Sequence, residues 1–352
     1  MGKRIAIVGA GAVGGYVGGH MSRNGHDVTL IDPWPEHIEA IRANGLHLYG
    51  MTEAENVVAH PRTMHLTQVQ SLAKEAPIDI AVVSVKSYDT EWATMMIRPY
   101  LSPGGYVVSL QNCINEERIA GLVGWGRVLG AIAARISVDL TEAGHIYRTV
   151  PKGGAEYTVF RVGEVHGRIT PRAEEFAAMV AEIDSVKVTT NLWGERWSKL
   201  CVNAMRNGVS AATGLSGNEA DRHDEVRRFA VRVGGEAVRV GQALGYTLEH
   251  IGPLAPDLLG RAGEGDRGAL EEVDALLIAG SNSGARSDNQ RPSMGQDMLK
   301  GRRTEIDYIN GFVVDHGERI GRPVAANLAL VQMVNRVYRG ELPARPENLR
   351  LD

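Results

Sequence analysis

Residues 3–14, Lys-Arg-Ile-Ala-Ile-Val-Gly-Ala-Gly-Ala-Val-Gly, decide how the rest of this chain is read. Residues 3–8 are a short apolar run with β-branched members, which reads as a buried strand. Gly9, Ala10, Gly11, Ala12, Val13 and Gly14 follow as a GxGxxG turn. A small-residue helix then runs to about Asn24, and Gly25 ends it. His26 to Ile31 is the next strand, with Asp32 at its end, 18 residues after Gly14. Strand, glycine turn, helix, strand and acid make the start of a βαβ unit. The first glycine allows the tight turn, the second lets backbone approach a pyrophosphate, and the third lets the helix pack close to the strand. The helix N-terminus offers free N–H groups and partial positive charge to phosphates. A lone GxGxxG is a weak signal. Between a strand and a helix, with an acid at this distance, it implies a dinucleotide site.

Asp32 bears on which dinucleotide. A carboxylate there accepts hydrogen bonds from the adenosine ribose and repels a 2′-phosphate. The next residues, Pro33-Trp34-Pro35-Glu36, contain no arginine to grip that phosphate. NAD(H) is therefore favoured over NADP(H). The blander reading is that Asp32 only ends its strand and that Arg42 or another loop selects the cofactor.

Working outward, 352 residues suggest two domains at a soft prior of ~150 each. A content of 43% hydrophobic and 23% charged residues is that of an ordinary globular chain, which argues against disorder. Lys+Arg of 38 against Asp+Glu of 42 leaves a net charge of -4, without the basic footprint of a nucleic-acid binder. Cys113 and Cys201 are too few for a disulfide framework or a four-cysteine zinc site. The histidines show no HExxH spacing, so no metal site is expected, and His223 and His316 read as surface residues. No apolar run approaches the ~20 residues of a membrane span. Lys3 and Arg4 before Ile5–Gly19 mimic a signal peptide, but six glycines interrupt that stretch and no A-x-A-like site follows. A cytoplasmic location is expected.

Ile78–Val85, Gly105–Leu110 and Val128–Ile136 are predominantly apolar runs, as central parallel strands should be. Residues 144–166 are shorter and more polar, and read as antiparallel edge strands. A helix (Pro171–Ile183) and a strand (Ser185–Thr189) close the first domain near residue 190. From Leu192 to Tyr338 the pattern is helical. The expected division is 1–190 and 191–352. Gly260–Gly268 and Gly280–Pro292 read as loops, the second long, rich in turn formers and mobile.

Trp197 to Asn207 carries the second chemical signal. At 100° per residue, Lys199, Asn203 and Asn207 fall within about 80° of one another. Arg206 flanks this stripe, while Leu200, Cys201, Ala204 and Met205 can face a core. Alone, such a stripe reads as a solvated face; beside a domain boundary, it reads as a ligand face. Trp193 and Trp197, one turn apart, read as core. Ser293 with Gln296 has the capping-box spacing, so Ser293 either caps a helix or, with the helix N-terminus, holds a carboxylate. Glu305 can pair with Arg302 or Arg303, or serve as a second polar group at a site.

Together these segments resemble the ketopantoate reductase family. The resemblance rests on GAGAVG at 9–14, VVSVKSYDTE at 82–91, LQN at 110–112, WSKLCVNAMRN at 197–207, SMGQD at 293–297 and RRTEIDYINGFVV at 302–314, in that order. It implies an α/β Rossmann domain followed by an all-α C-terminal domain of the 6-phosphogluconate-dehydrogenase type. It also implies an active site between the two. Carried over, Lys199 is the general acid that protonates the substrate carbonyl oxygen. Asn203, Asn207 and Ser293 bind a 2-oxo acid, and Glu305 lies beside cofactor and substrate. Lys86 and Asn112, each just past a strand, line the cofactor and reaction site. The implied reaction is NAD(P)H-dependent reduction of a 2-oxo acid, first 2-dehydropantoate, to its 2-hydroxy acid. An ammonium suits this chemistry, because it stabilises the developing oxyanion and donates a proton.

The chain departs from the family pattern at four places. Cys113 stands where the family often has glycine after LQN, so glycine-only backbone is not expected there. Gly208 stands where a proline often follows the asparagine. The second domain is longer around 250–292, and Asp32 is unexpected beside NADPH. These departures favour, as alternative, an NAD-linked 2-hydroxy acid dehydrogenase acting on a different, bulkier acid. A dinucleotide-binding sensor without turnover is the reading from another class. The expected partner is a small 2-oxo acid, with no nucleic acid and no membrane, and an amphipathic helical domain is compatible with a homodimer.

Overall fold

The first apolar run forms β1 (Arg4–Val8), and the glycine turn leads into α1 (Ala12–Arg23), β2 (Asp27–Asp32) and α2 (Pro35–Asn44). The computed structural model describes residues 2–284, 288 and 290–349. The chain continues through β3 (Leu46–Tyr49), β4 (Val57–Ala59), β5 (Arg62–His65), β6 (Ile78–Val83), α3 (Thr90–Ile97), β7 (Leu101–Ser109) and α4 (Glu116–Val123). Then come β8 (Val128–Ala133), β9 (Val138–Glu142), β10 (His145–Arg148), β11 (Phe160–Glu164), α5 (Pro171–Ala181) and β12 (Val186–Thr189). These elements belong to the first of two compact units, Met1–Leu192 and Trp193–Asp352.

Eight strands form the main sheet of the first unit, in the order β12-β11-β8-β7-β6-β1-β2-β5. The six from β8 to β5 are parallel. That order is the doubly wound arrangement of a Rossmann-like domain, with the chain reversing its direction across the sheet between β1 and β6. Both central strands are covered on both faces: Ile5 to Val8 and Ile80 to Val83 are no more than 1% exposed. This is why they read as unbroken apolar runs.

The segments within 144–166 pair antiparallel as expected, β11 with β8 and β10 with β9. Neither is an edge strand. β12 lies outside β11, and β10 lies inside a second sheet of order β4-β3-β10-β9. The second sheet covers α1. A Cβ at Gly18 would stand 2.6 Å from Ile7 and Leu30 of the main sheet, and one at Gly19 would stand 2.9 Å from Leu48 of the small sheet. A helix between two sheets is buried all round, which accounts for the small residues along it. Arg148, at the end of β10, pairs with Asp184 at 2.6 Å, both side chains almost fully buried. The Arg148 guanidinium also donates to the Tyr16 hydroxyl of α1 at 3.3 Å, and Asp184 accepts from the Gly153 and Ser185 N–H groups. A buried pair this well bonded ties the small sheet and α1 to the strand end of the main sheet. Removing one partner costs about 3–5 kcal/mol.

The second unit holds α6 (Leu192–Thr213, beginning at the boundary), α7 (Gly217–Arg222), α8 (Asp224–Ala243), α9 (Pro256–Gly263), α10 (Arg267–Asn282), α11 (Ser293–Leu299), α12 (Ile306–Arg319) and α13 (Ala325–Tyr338). Gly260–Gly268 is not a loop: it ends α9 and begins α10. Gly263 serves a helix crossing, since a Cβ there would stand 2.7 Å from Gly235 Cα of α8. Gly280 to Asn282 complete α10, so the second expected loop begins later. Of the segment 280–292 expected to be a mobile loop, residues 285–287 and 289 lie outside the described residues. Trp197 is fully buried and donates its indole N–H to Ala237 O at 2.8 Å, whereas Trp193 is half-buried. His316 is not a free surface residue, for it packs edge-on against Trp197. His223 caps α8. Among the described residues no helix is long and apolar enough to cross a membrane.

Candidate active site

The glycine turn divides its tasks among its three glycines. Gly9 has φ +96°, a conformation that side chains other than glycine rarely adopt, and this lets the chain leave β1 sharply. Gly14 lies against the turn itself: a Cβ there would overlap the Gly9 carbonyl oxygen and stand 2.9 Å from Ser84 Cβ. Gly11 is different, because a Cβ there would meet nothing within 4 Å. Gly11 is also the N-cap of α1 and supplies no side-chain hydrogen bond to the first-turn N–H groups. An open glycine cradle at an uncapped helix N-terminus fits a pyrophosphate. Ala10 is fully buried under the turn, while Ala12 and Val13 form the half-buried first turn of α1.

Asp32 is brought to this turn by the β1–β2 pairing. Its Oδ2 accepts the Ala10 N–H at 2.8 Å and its Oδ1 accepts the Trp34 N–H at 2.9 Å. Burial pushes the carboxyl above the usual range, against the pull of those N–H groups. Each oxygen keeps a lone pair for a further donor. Arg42 does not reach this carboxylate; its guanidinium is bound to Thr63 O, Gln68 and Glu39. His37, which the sequence reading passed over, is fully buried beneath the turn. Its Nδ1 accepts the Gly144 N–H at 3.0 Å, so its Nε2 carries the proton and donates to Ala10 O at 3.0 Å. Burial holds its pKa below the usual histidine range. His37 therefore links the glycine turn to the small sheet as a neutral ring. On a helix that reads PEHIEAIRAN nothing local marks it out.

Lys86 and Asn112 follow the C-terminal ends of the adjacent parallel strands β6 and β7, and both are half-buried. Their loops are fastened together. Gln111 donates to Val85 O at 2.9 Å and to Thr90 Oγ1 at 2.8 Å. Asn115 donates to Ser87 Oγ at 3.2 Å and to Asn112 O at 2.9 Å, and Arg118 donates to Ser87 O at 2.6 Å. The expectation for Cys113 is overturned. It is buried and takes the left-handed conformation, φ +64°, as a glycine would. The fastened loop imposes that backbone whatever residue occupies it, at a cost of about 1–2 kcal/mol.

In the second unit, α6 runs unbroken through the Lys199–Asn207 stretch. Leu200, Cys201, Ala204 and Met205 are buried on its core side. Lys199 and Asn203 are half-buried on the adjacent face, and Asn207 is 6% exposed. Asn203 Nδ2 is a buried donor with no partner among the described residues. Arg206 does not join the stripe, as it is paired with Asp221 of α7. Gly208 is explained by close packing: a Cβ there would stand 2.9 Å from Leu330 and 3.0 Å from Ile306. Ser293 begins α11 instead of capping it; Pro292 is the N-cap and makes no side-chain cap bond, so the Ser293–Gln296 box is not used. α11 crosses α6 at Gly295 and Ser210. Glu305 is the N-cap residue of α12 and is 4% exposed. Thus the first unit gathers the glycine turn and Asp32, and sets Lys86 and Asn112 just past the ends of neighbouring strands. The second carries Lys199, Asn203 and Asn207 on one helix, with the helices of Ser293 and Glu305 packed against it.

Comparison with known proteins agrees across both units. Residues 5–160 match the family model for ketopantoate reductase PanE/ApbA, and residues 191–338 match the model for its C-terminal part. The 2-dehydropantoate 2-reductase of Archaeoglobus fulgidus is 28% identical over 339 residues, 96% of this chain and 99% of the relative. The crystal structure of a PanE/ApbA family ketopantoate reductase from Ralstonia eutropha JMP134 superimposes with a TM-score of 0.77 at 26% identity, covering 96% of this chain and 99% of the other. D-mandelate dehydrogenase, solved as a ternary structure with NADH and anilino(oxo)acetate, has the same fold, with a TM-score of 0.77 at 22% identity over 96% of this chain and 98% of the other. The Rossmann-like first unit, the helical second unit and the matches along both make this chain a member of the ketopantoate reductase PanE/ApbA family of NAD(P)-dependent oxidoreductases.

Proposed function

We propose that the chain reduces a 2-oxo acid to the 2-hydroxy acid, with 2-dehydropantoate as first substrate and Lys199 as general acid. The observation that carries this reading is the α6 face, which bears an ammonium and two amides and where Asn203 Nδ2 is buried without a partner among the described residues. A buried donor left unpaired is costly, and a substrate oxygen would relieve it. When bound, the nicotinamide supplies hydride to the carbonyl carbon. The Lys199 ammonium stabilises the negative charge that develops on oxygen and gives it a proton. Asn203, Asn207 and Ser293 hold the acid, and Glu305, Lys86 and Asn112 orient cofactor and substrate. Gly9 to Gly14 hold the pyrophosphate. Asp32 accepts the ribose hydroxyls, which favours NADH over NADPH.

A second reading has its own support. The Asp32 carboxylate, held by two N–H groups with no arginine bound to it among the described residues, and the fold shared with D-mandelate dehydrogenase favour an NAD-linked enzyme for a bulkier 2-hydroxy acid. Oxidation of NADH and NADPH, followed in parallel with ketopantoate and with branched and aromatic 2-oxo acids, separates the two. Lys199→Ala is expected to lower turnover by ~10²–10⁴-fold while cofactor binding stays unchanged. Turnover near the wild-type rate would refute the lysine mechanism. Tight cofactor binding with no turnover of any acid would leave a dinucleotide sensor.

A further inference from the structure

We propose that Asn310 is a positioning residue: it sets α12, which carries Glu305 at its N-cap, against α6 between Asn203 and Asn207. This rests on the catalytic reading above and deepens it. Asn310 and Asn327 are both 0% exposed in the core of the helical unit. Asn310 Nδ2 donates to the Ala204 carbonyl of α6 at 3.1 Å and to Asn327 Oδ1 of α13 at 2.9 Å. Asn327 Nδ2 donates to Val233 O at 3.0 Å and to Glu236 Oε2 at 2.9 Å, both on α8. Glu236 in turn accepts the Ala326 and Asn327 N–H groups at 2.9 and 3.0 Å, which caps the start of α13. Four helices are thus joined by one chain of directed bonds, and its end on α6 is a main-chain atom beside Asn203.

The place of that bond matters more than its strength. Ile306, the residue after Glu305, lies against Gly208, the residue after Asn207; a Cβ at Gly208 would stand 3.0 Å from Ile306 Cδ1 and 3.1 Å from Asn310 Oδ1. The first turn of α12 therefore docks where α6 has no side chain, one residue from the polar stripe. Apolar packing at such a contact tolerates sliding by a fraction of a turn, because dispersion and burial are non-directional. An amide bonded to a main-chain carbonyl does not slide. Asn310 Oδ1 is itself buried with no partner among the described residues, so this amide is a poor choice for stability alone. Buried polar groups of this kind are best attested as devices that hold register.

The test uses the full chain and the 2-oxo acid that the wild type turns over. Asn310→Leu is expected to lower kcat/KM at least tenfold, with a smaller rise in cofactor Kd of less than about threefold, because on the proposed reading Glu305 is one cofactor contact among several and the glycine turn and Asp32 are unaltered. If Asn310 acts through the placement of Glu305, the double variant Asn310→Leu with Glu305→Ala is no worse than Glu305→Ala alone. Val273→Ala, a cavity in the buried face of α10, serves as a control that lowers the thermal midpoint from a helix other than α6 and α12. Should Asn310→Leu not fold, Asn327→Ala removes only the brace and is expected to show the same pattern more weakly. The inference is overturned if the folded variant keeps kcat/KM within threefold of wild type, if its loss matches that of the control, or if the Asn310 and Glu305 losses multiply. A wild type that binds cofactor and turns over no 2-oxo acid refutes the functional reading first, and this inference with it.

Discussion

Alanine at Gly11 and alanine at Gly14 are expected to separate the cofactor cradle from the fold. The backbone at Gly11, φ -63°, suits any residue, and a Cβ there meets no protein atom within 4 Å. Gly11→Ala should change stability by less than about 1 kcal/mol, the size of an N-cap exchange. On the proposed reading, the same methyl enters the space in which backbone meets the pyrophosphate. Cofactor Kd should therefore rise ten- to hundredfold, about 1.4–2.8 kcal/mol. Gly14→Ala should do the reverse. Its methyl would overlap the Gly9 carbonyl oxygen and press on Ser84 Cβ at 2.9 Å. Neither neighbour can yield cheaply, since the Gly9 N–H is bound to Ile31 O and the Ser84 N–H to Val8 O, each at 2.9 Å. α1 cannot retreat either, because the small sheet covers its other side. Overpacking of this kind costs about 1–3 kcal/mol. The higher helix propensity of alanine returns about 0.8–1 kcal/mol, which leaves a net loss of up to about 2 kcal/mol. Urea unfolding followed by circular dichroism, and NADH titration by fluorescence, measure the two effects separately. Gly11→Ala that binds NADH as tightly as wild type, or that loses as much stability as Gly14→Ala, would refute this division of tasks.

Two further outcomes follow from the first unit. Cys113→Gly should be nearly neutral, because relief of the left-handed strain, about 1–2 kcal/mol, is offset by lost burial and a freer unfolded chain. Cys113→Val, β-branched at the same φ of +64°, should lose about 2 kcal/mol in denaturant titration, and equal tolerance of both would contradict the strain argument. His20 is held down to about 4 by burial and by the nearby positive charges of Lys152 and Arg148. The unfolded chain binds that proton near the ordinary 6.5, so it holds more protons than the folded chain between the two values. Stability is therefore full above about pH 6.5 and declines as pH falls toward 4, by roughly 2 kcal/mol after allowance for partial solvent access. His20→Phe keeps the ring against Tyr16 and should flatten this decline in thermal melts across that range; an unchanged slope would assign it to other groups.

Much of this molecule was legible because its signals are local. The glycine turn and Asp32 lie within 24 consecutive residues, and the Lys199–Asn207 stripe lies on three turns of one helix. Short-range rules of period and turn geometry govern such stretches. The edge-strand expectation failed for the opposite reason. β3 and β10 are four residues each, and they meet across nearly a hundred intervening residues. The loop read at Gly260–Gly268 failed because a glycine that ends a helix and a glycine that lets two helices touch are the same letter. Ser293 was placed one position off its cap, within the usual uncertainty of helix ends.

Residue order alone determined the βαβ start, the acid at the end of β2, the helical second half and the residues that carry the proposed chemistry, since each is a property of neighbours along the chain. Tertiary structure decided the rest. It placed α1 between two sheets and made a neutral linker of His37. It also forced Cys113 into a glycine conformation and joined Asn310 to Ala204. Each of these depends on partners that are distant in sequence, and close packing leaves such partners only one arrangement in which buried polar atoms are bonded and buried volumes are filled.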